Sequence, residues 1–114
     1  MAKFMAVYLG SATPEQRAAF QADQAKMQAG MQAWGQWMQD HRDAVADSGG
    51  PLGKTKRVDG SGVADTANHL TGYVIVEAES HDDAARMFEG HPHFTLFPGE
   101  AVEIMECLPM PGQA

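Results

Sequence analysis

Residues 72–78, GYVIVEA, are apolar at four consecutive positions. On an extended strand successive side chains point to opposite faces, so Tyr73 and Ile75 share one face while Val74 and Val76 share the other. Two further segments repeat the pattern. In KFMAVYL, residues 3–9, Phe4, Ala6 and Tyr8 oppose Met5, Val7 and Leu9; in residues 101–108, Val102 and Ile104 oppose Met105 and Cys107. A sheet built from these strands is apolar on both sides. The chain's own helices can cover one side. Leaving about six such side chains on the other side in water would forfeit roughly 10 kcal/mol by area accounting. The simplest cover is the same face of an identical subunit, so the sequence predicts a homodimer packed sheet to sheet.

The segments between these strands carry helix signals. Thr13-Pro14-Glu15-Gln16 offers an N-cap, a proline suited to the first turn and the glutamine of a capping box. Phe20, Met27, Met31, Trp34, Met38 and Val45 then recur at helical spacing, predicting one long helix, bent near Gly30 and Gly35, that ends at DSGGPLG. KTKRV, residues 54–58, reads as a second, edge strand, and Asp59 to His69 as a loop or irregular hairpin connection. Ser80 caps a second helix that turns Ala84, Met87 and Phe88 inward and stops at Gly90-His91-Pro92. The order is βαββαβ, an α+β, ferredoxin-like arrangement with a four-stranded antiparallel sheet. With 114 residues the chain is expected to form one domain, 1–114, ending in a polar tail, 109–114.

Composition narrows the function. A net charge of −7 with dispersed lysines and arginines argues against nucleic-acid binding. No apolar stretch approaches the length of a membrane span. The start MAKFMAVYLG lacks a cleavable leader pattern, and the single cysteine, Cys107, read as a small buried side chain, allows no internal disulfide. The expectation is a cytoplasmic protein. No nucleotide loop, dinucleotide fingerprint or cysteine pair is present, so no cofactor is expected.

The remaining chemistry rests on five histidines and the tryptophans. FEGHPHF sets His91 and His93 around Pro92, which biases His91 toward an extended backbone. They could contact a ligand, or they could decorate a helix terminus, with His91 against the last carbonyls and His93 in a loop. A metal site would need Glu100, His41 or His69 in addition, and no ligand spacing connects them, so none is expected. His41 falls on the apolar stripe of the long helix; it is either a satisfied core residue or a proton-transfer group facing a cavity. Trp34 and Trp37, with Met27, Met31 and Met38, either form plain core or wall a deformable pocket for a flat ligand. Tyr8 and Tyr73 are possible pocket hydroxyls, with packing the default.

From GGPLGKTKRV through ANHLTGYVIVEAESHDDAARMFEGHPHF to VEIMECLP, the sequence resembles the YCII-related domain family, including its DGPF-like branch. KFMAVYLG and TPEQ fit as well. The resemblance implies a dimeric α/β barrel, in agreement with the two-faced strands. It also implies a recurring Pro-His-apolar element, matched by Pro92, His93 and Phe94, which favours His93 over His91. Two departures stand out. Asp59-Gly60 is followed by Ser61-Gly62, so the DGPF tetrapeptide is not intact. The histidine of the family's acid/base dyad would fall near Ala33 or Trp34, where there is none; Asp47 lies roughly where its aspartate partner would be. Two functions follow as expectations. The first is small-molecule binding in a pocket near the dimer interface, with cofactor-free acid/base isomerisation or elimination; His93 or His41 would be catalytic, with Trp34, Trp37, Tyr73 and His91 at the ligand. The second is a non-catalytic dimeric interaction or regulatory module, with a sealed core and scattered histidines.

Overall fold

The computed structural model describes residues 1–112; residues 113–114 of the expected polar tail lie outside the described residues. Four strands form one antiparallel sheet: β1 (Ala2–Leu9), β2 (Val45–Pro51), β5 (Leu70–Ala78) and β6 (Ala101–Glu106), in the order β2-β5-β1-β6. With the helices between β1 and β2 and between β5 and β6, this is the ferredoxin-like βαββαβ order. Phe4, Ala6 and Tyr8 of β1 join Val74, Val76 and Ala78 of β5 in the core, beneath Trp37, Ala84 and Phe88 from the helices. The alternation along β1 and β5 therefore sorts their residues between faces as the sequence predicts.

The helix residues of this core, Trp37, Ala84 and Phe88, all pack on that one face; the opposite face carries the other half of each strand's residues. Met5 lies between Ile75 and Met105 across the strands, and Val7 between Tyr73 and Glu103. Met105 remains 41% exposed. The molecule is a slab with extents of 50 × 43 × 18 Å, and its 16.0 Å radius of gyration exceeds the ~13 Å of a compact chain this long. Part of the excess is a separate hairpin, β3 (Thr55–Asp59) and β4 (Gly62–Thr66), exposed along almost its whole length.

Four local readings are corrected. The long helix is two helices, α1 (Pro14–Ala22) and α2 (Gln24–Asp40). The break is at Asp23, whose extended backbone closes α1 while its carboxylate accepts the Lys26 N–H and starts α2. Gly30 and Gly35 lie inside α2; at Gly30 a Cβ would stand 2.7 Å from the Phe97 ring, so this glycine allows close packing. Val45 belongs to β2, since α2 ends at Asp40. The strand beside β5 is VADSGGP, and KTKRV belongs to the outlying hairpin. Its glycines and proline are tolerated because β2 is an edge strand whose register slips twice. Cys107 is exposed just beyond β6.

The second helical region is also divided, into α3 (His81–Arg86) and the single turn α4 (Pro92–Thr95). Thr13 with Gln16, and Ser80 with the Asp83 N–H, form the caps read from the sequence.

The bulge in β2 is set by Gly49, with φ +61°, whose N–H donates to the Asp47 carboxylate. A Cβ there would lie 1.9 Å from the Tyr73 carbonyl oxygen. Gly49→Ala should therefore lower unfolding free energy by roughly 2–3 kcal/mol in a denaturant titration. Gly50→Ala, where a Cβ meets nothing within 4 Å, should cost less than about 1 kcal/mol.

Candidate functional site

The site begins with the short backbone passage from α3 to α4. Gly90, at φ +67°, turns the chain, and Pro92 occupies the first position of α4, where its missing N–H is no loss. His91 is the N-cap, and its side chain takes the role usually given to serine or aspartate. Its Nδ1 accepts the His93 N–H at 3.0 Å. An accepting Nδ1 carries no proton, so the neutral ring holds its proton on Nε2, which lies 3.4 Å from the Tyr8 hydroxyl and donates to it.

His91 is fully buried, and burial, reinforced by the neighbouring His93 and His41, pushes its pKa down to about 4. It stays neutral at physiological pH. Burial likewise pushes the Tyr8 phenol far up, so it remains a protonated hydroxyl. Its oxygen accepts the hydrogen bond from His91 Nε2.

His93 follows one residue later. Its Nε2 lies 2.7 Å from the Leu9 carbonyl, which can only accept, so Nε2 carries a proton. The same carbonyl also accepts the Glu100 N–H, and Gly99 donates its N–H to the His93 carbonyl. A Cβ on Gly99 would stand 2.5 Å from the His93 ring, so only a glycine fits against it. The ring is thus held by the Leu9 carbonyl on one side and by Gly99 on another. Its Nδ1 makes no hydrogen bond among the described residues, and no unpartnered polar side-chain atom is buried there. In the neutral ring that lone pair is open to the cleft.

The cleft lies between α2 and the β2–β5 end of the sheet and has two lobes. Lobe A, about 420 Å³, is walled by Tyr8, Trp34, Tyr73 and His93 with Met31 and the bulged edge of β2. Lobe B, about 450 Å³, lies toward α1, with Arg17, Phe20, Met27 and Phe97 on its walls. Trp34, Pro51, Thr71 and His93 border both. Trp34 stands edge-on to His93 and, at 5.6 Å between centroids, to Phe97.

Of the six residues singled out in the sequence, His93, Trp34 and Tyr73 come together on the cleft. His91 lies directly behind them. Trp37 is in the core, its indole N–H donating to the Met87 carbonyl at 2.9 Å and its ring 4.8 Å from His91. His41 caps the C-terminus of α2, stacks on Trp37 and donates from Nδ1 to the Trp37 carbonyl, on neither lobe's wall. FEGHPHF is therefore more than a helix end: it starts a second helix. The sequence reading gave too little weight to Tyr8 and missed Thr71 and the β2 edge. The alternation that turns Tyr8 to the helix side was a usable signal; the β2 edge had none. Among the described residues no three histidine, cysteine, aspartate or glutamate side chains converge as a metal site requires. No helix among them is long and apolar enough to cross a membrane.

The family model for the YCII-related domain matches residues 3–108, so the chain belongs to the YCII-related domain family. Among solved structures it is similar to 5-chloro-2-hydroxyhydroquinone dehydrochlorinase (TftG) from Burkholderia phenoliruptrix AC1100, in complex with 2,5-dihydroxybenzoquinone. The identity is 18%, the TM-score 0.52, and the match covers 90% of this chain and 89% of TftG. That likeness establishes the shared fold. No curated protein matches the sequence.

The His91 geometry sets a pH dependence. Its pKa in the folded protein, about 4, lies below the ~6.5 of an unfolded histidine, so between those values the unfolded chain binds the extra proton. Stability should fall as pH drops through that window, by at most about 1.4 kcal/mol per pH unit from this group. His91→Gln can keep both hydrogen bonds without titrating. The difference between wild-type and variant denaturation profiles should therefore shrink from pH 7 toward pH 4.

Proposed function

We propose that this protein binds a small, flat, aromatic or quinone-like molecule in lobe A and performs acid/base isomerisation or elimination on it without a cofactor. The observation that carries this reading is the His93 imidazole: one nitrogen is committed to a backbone carbonyl, the other makes no hydrogen bond among the described residues, and the residue lines the cleft with Tyr8, whose ring lies 5.1 Å away. In this scheme His93 Nδ1 takes a proton from the bound molecule; in isomerisation it returns the proton at another atom, and in elimination the C–H electrons form the new double bond while the leaving group, such as chloride, departs with its bonding pair and the proton passes to solvent. Tyr8 donates its hydroxyl hydrogen bond to the oxygen on which negative charge develops. The Leu9 carbonyl orients the imidazole, as a carboxylate does in other histidine bases. Trp34 offers a flat apolar wall, and the lobe's volume suits a single substituted ring. A protein of the same fold holding 2,5-dihydroxybenzoquinone supports this ligand class. His41, His91 and Trp37 then act behind the site by holding its walls.

Titration with 2,5-dihydroxybenzoquinone, read by tryptophan fluorescence, should give saturable quenching that is largely lost in Trp34→Phe. Across chlorinated hydroxyhydroquinones and unsaturated lactones, turnover should fall about 100-fold in His93→Gln with binding retained. Saturable binding with unchanged turnover in His93→Gln would refute the acid/base role. No saturable quenching by any of these compounds would refute the binding reading.

The uncovered sheet face supports a homodimer as the working form. Met5, Tyr73, Ile75 and Met105 surround the buried Val7 on this face, with Lys3, Glu77 and Glu103 at the rim, and Tyr73 belongs to both this face and the cleft wall. Sedimentation should give twice the 12.3 kDa chain mass, and Ile75→Lys should yield monomer at micromolar concentration. A monomeric wild type would reject the dimer.

A further inference from the structure

Lobe B differs from lobe A in charge. No Asp, Glu, Lys or Arg lines lobe A, and Arg17 is the one such residue among the described residues lining lobe B. Three features set this arginine apart. It sits in the first turns of α1, near the positive end of the helix, where a cation is disfavoured. The ion pairs among the described residues join Lys56 to Asp65, Arg57 to Asp59 and Arg86 to Asp83, and none involves Arg17. The chain carries a net charge of −7, so carboxylates are plentiful, yet none lines this lobe. Glu100 lines the adjoining groove with Gln16 and Gly99 instead.

The surroundings suit an anion carried on an aromatic body. Phe20 and Phe97 pack at 5.1 Å, and Phe97 reaches Trp34 at the boundary with lobe A. Trp34, Thr71 and His93 border both lobes. A ring lying against Trp34 in lobe A can therefore extend a short substituent past His93 into lobe B. The Arg17 guanidinium, exposed to solvent, can meet a carboxylate with two parallel hydrogen bonds.

We infer that lobe B is the subsite for an anionic substituent, a carboxylate, on the flat ligand of lobe A, with Arg17 as its counter-ion. The inference rests on the proposed occupancy of lobe A and narrows the substrate class to flat unsaturated or aromatic acids. Arg17 is a specificity-determining residue in this scheme and takes no part in the proton transfer at His93.

Cinnamate and cinnamamide share a shape and differ in charge, so they test the assignment by calorimetry or tryptophan quenching. Wild type should bind cinnamate about five- to tenfold more tightly than cinnamamide at low salt, and added salt should erode that preference. Arg17→Gln should reduce the preference to within about twofold, while Arg17→Lys should keep part of it. Equal binding of the two probes by wild type, or a preference that survives in Arg17→Gln, overturns the Arg17 assignment. If Trp34→Phe still weakens both probes, lobe A survives that result. Failure of wild type to bind either probe overturns the subsite and counts against the lobe A reading as well.

Discussion

A fully buried imidazole is costly unless both nitrogens are satisfied, and the site's geometry depends on how His91 meets that demand. Its ring is enclosed by Tyr8, Trp34, Trp37 and Phe88, with centroids 4.6 to 5.7 Å away. Among the described residues, the polar groups it engages are the His93 N–H and the Tyr8 hydroxyl. Accepting the first opens α4 at Pro92. Donating to the second holds the phenol of β1 against the helical layer. One side chain thereby couples the start of a helix to the middle of the sheet, and its neutrality is enforced by the same burial that makes it rigid.

The position of His93 follows from that coupling. A helix opening at Pro92 lifts the next side chain over the end of β1, where Leu9 presents a carbonyl with capacity for two hydrogen bonds. Glu100 takes one and His93 the other. Gly99 closes against the ring, leaving no room for a side chain. The family resemblance pointed to a histidine–aspartate dyad that this chain lacks, since Ala33 and Trp34 stand where the histidine would be. In the proposed scheme a histidine from another element, oriented by a backbone carbonyl, would serve as the base without a carboxylate. Trp34 instead supplies a wall to the space that base faces.

What could be read from the sequence divides along physical lines. Strands with alternating apolar faces were legible because burial enforces a period of two, and the caps at Thr13 and Ser80 because side-chain geometry demands those residues. VADSGGP was read as the helix's end because its glycines and proline are ordinary stop signals; only pairing with β5 makes them an edge strand with a bulge. KTKRV has good strand chemistry but pairs locally with β4, so its strand character was right and its place in the sheet was not. Asp23 gave no warning of a break, because an aspartate is as plausible on a helix surface as at a cap. On the cleft, Trp34 and Tyr73 were proposed from residue type and pattern and His93 from the family's Pro-His-apolar element, and all three line it. The partnership of Tyr8 with His91 spans 83 residues of sequence and has no local signature.

The cleft's two sides differ in how firmly they are built. Tyr8 and His93 are buried, belong to or are anchored on the central strand, and have their backbones or rings fixed by several hydrogen bonds. The facing side is formed by β2, which pairs with β5 alone and slips register twice, and by α1, which has no buried residue. Elements with few buried contacts lie at the low end of local stability and adjust at least cost. A proton-transfer group must hold position to fractions of an ångström, whereas a wall that selects among ring substituents gains from adjusting. In the proposed scheme, chemistry falls on the side bound into the sheet and recognition on the side at its edge. Arg17, on α1, falls on the recognition side.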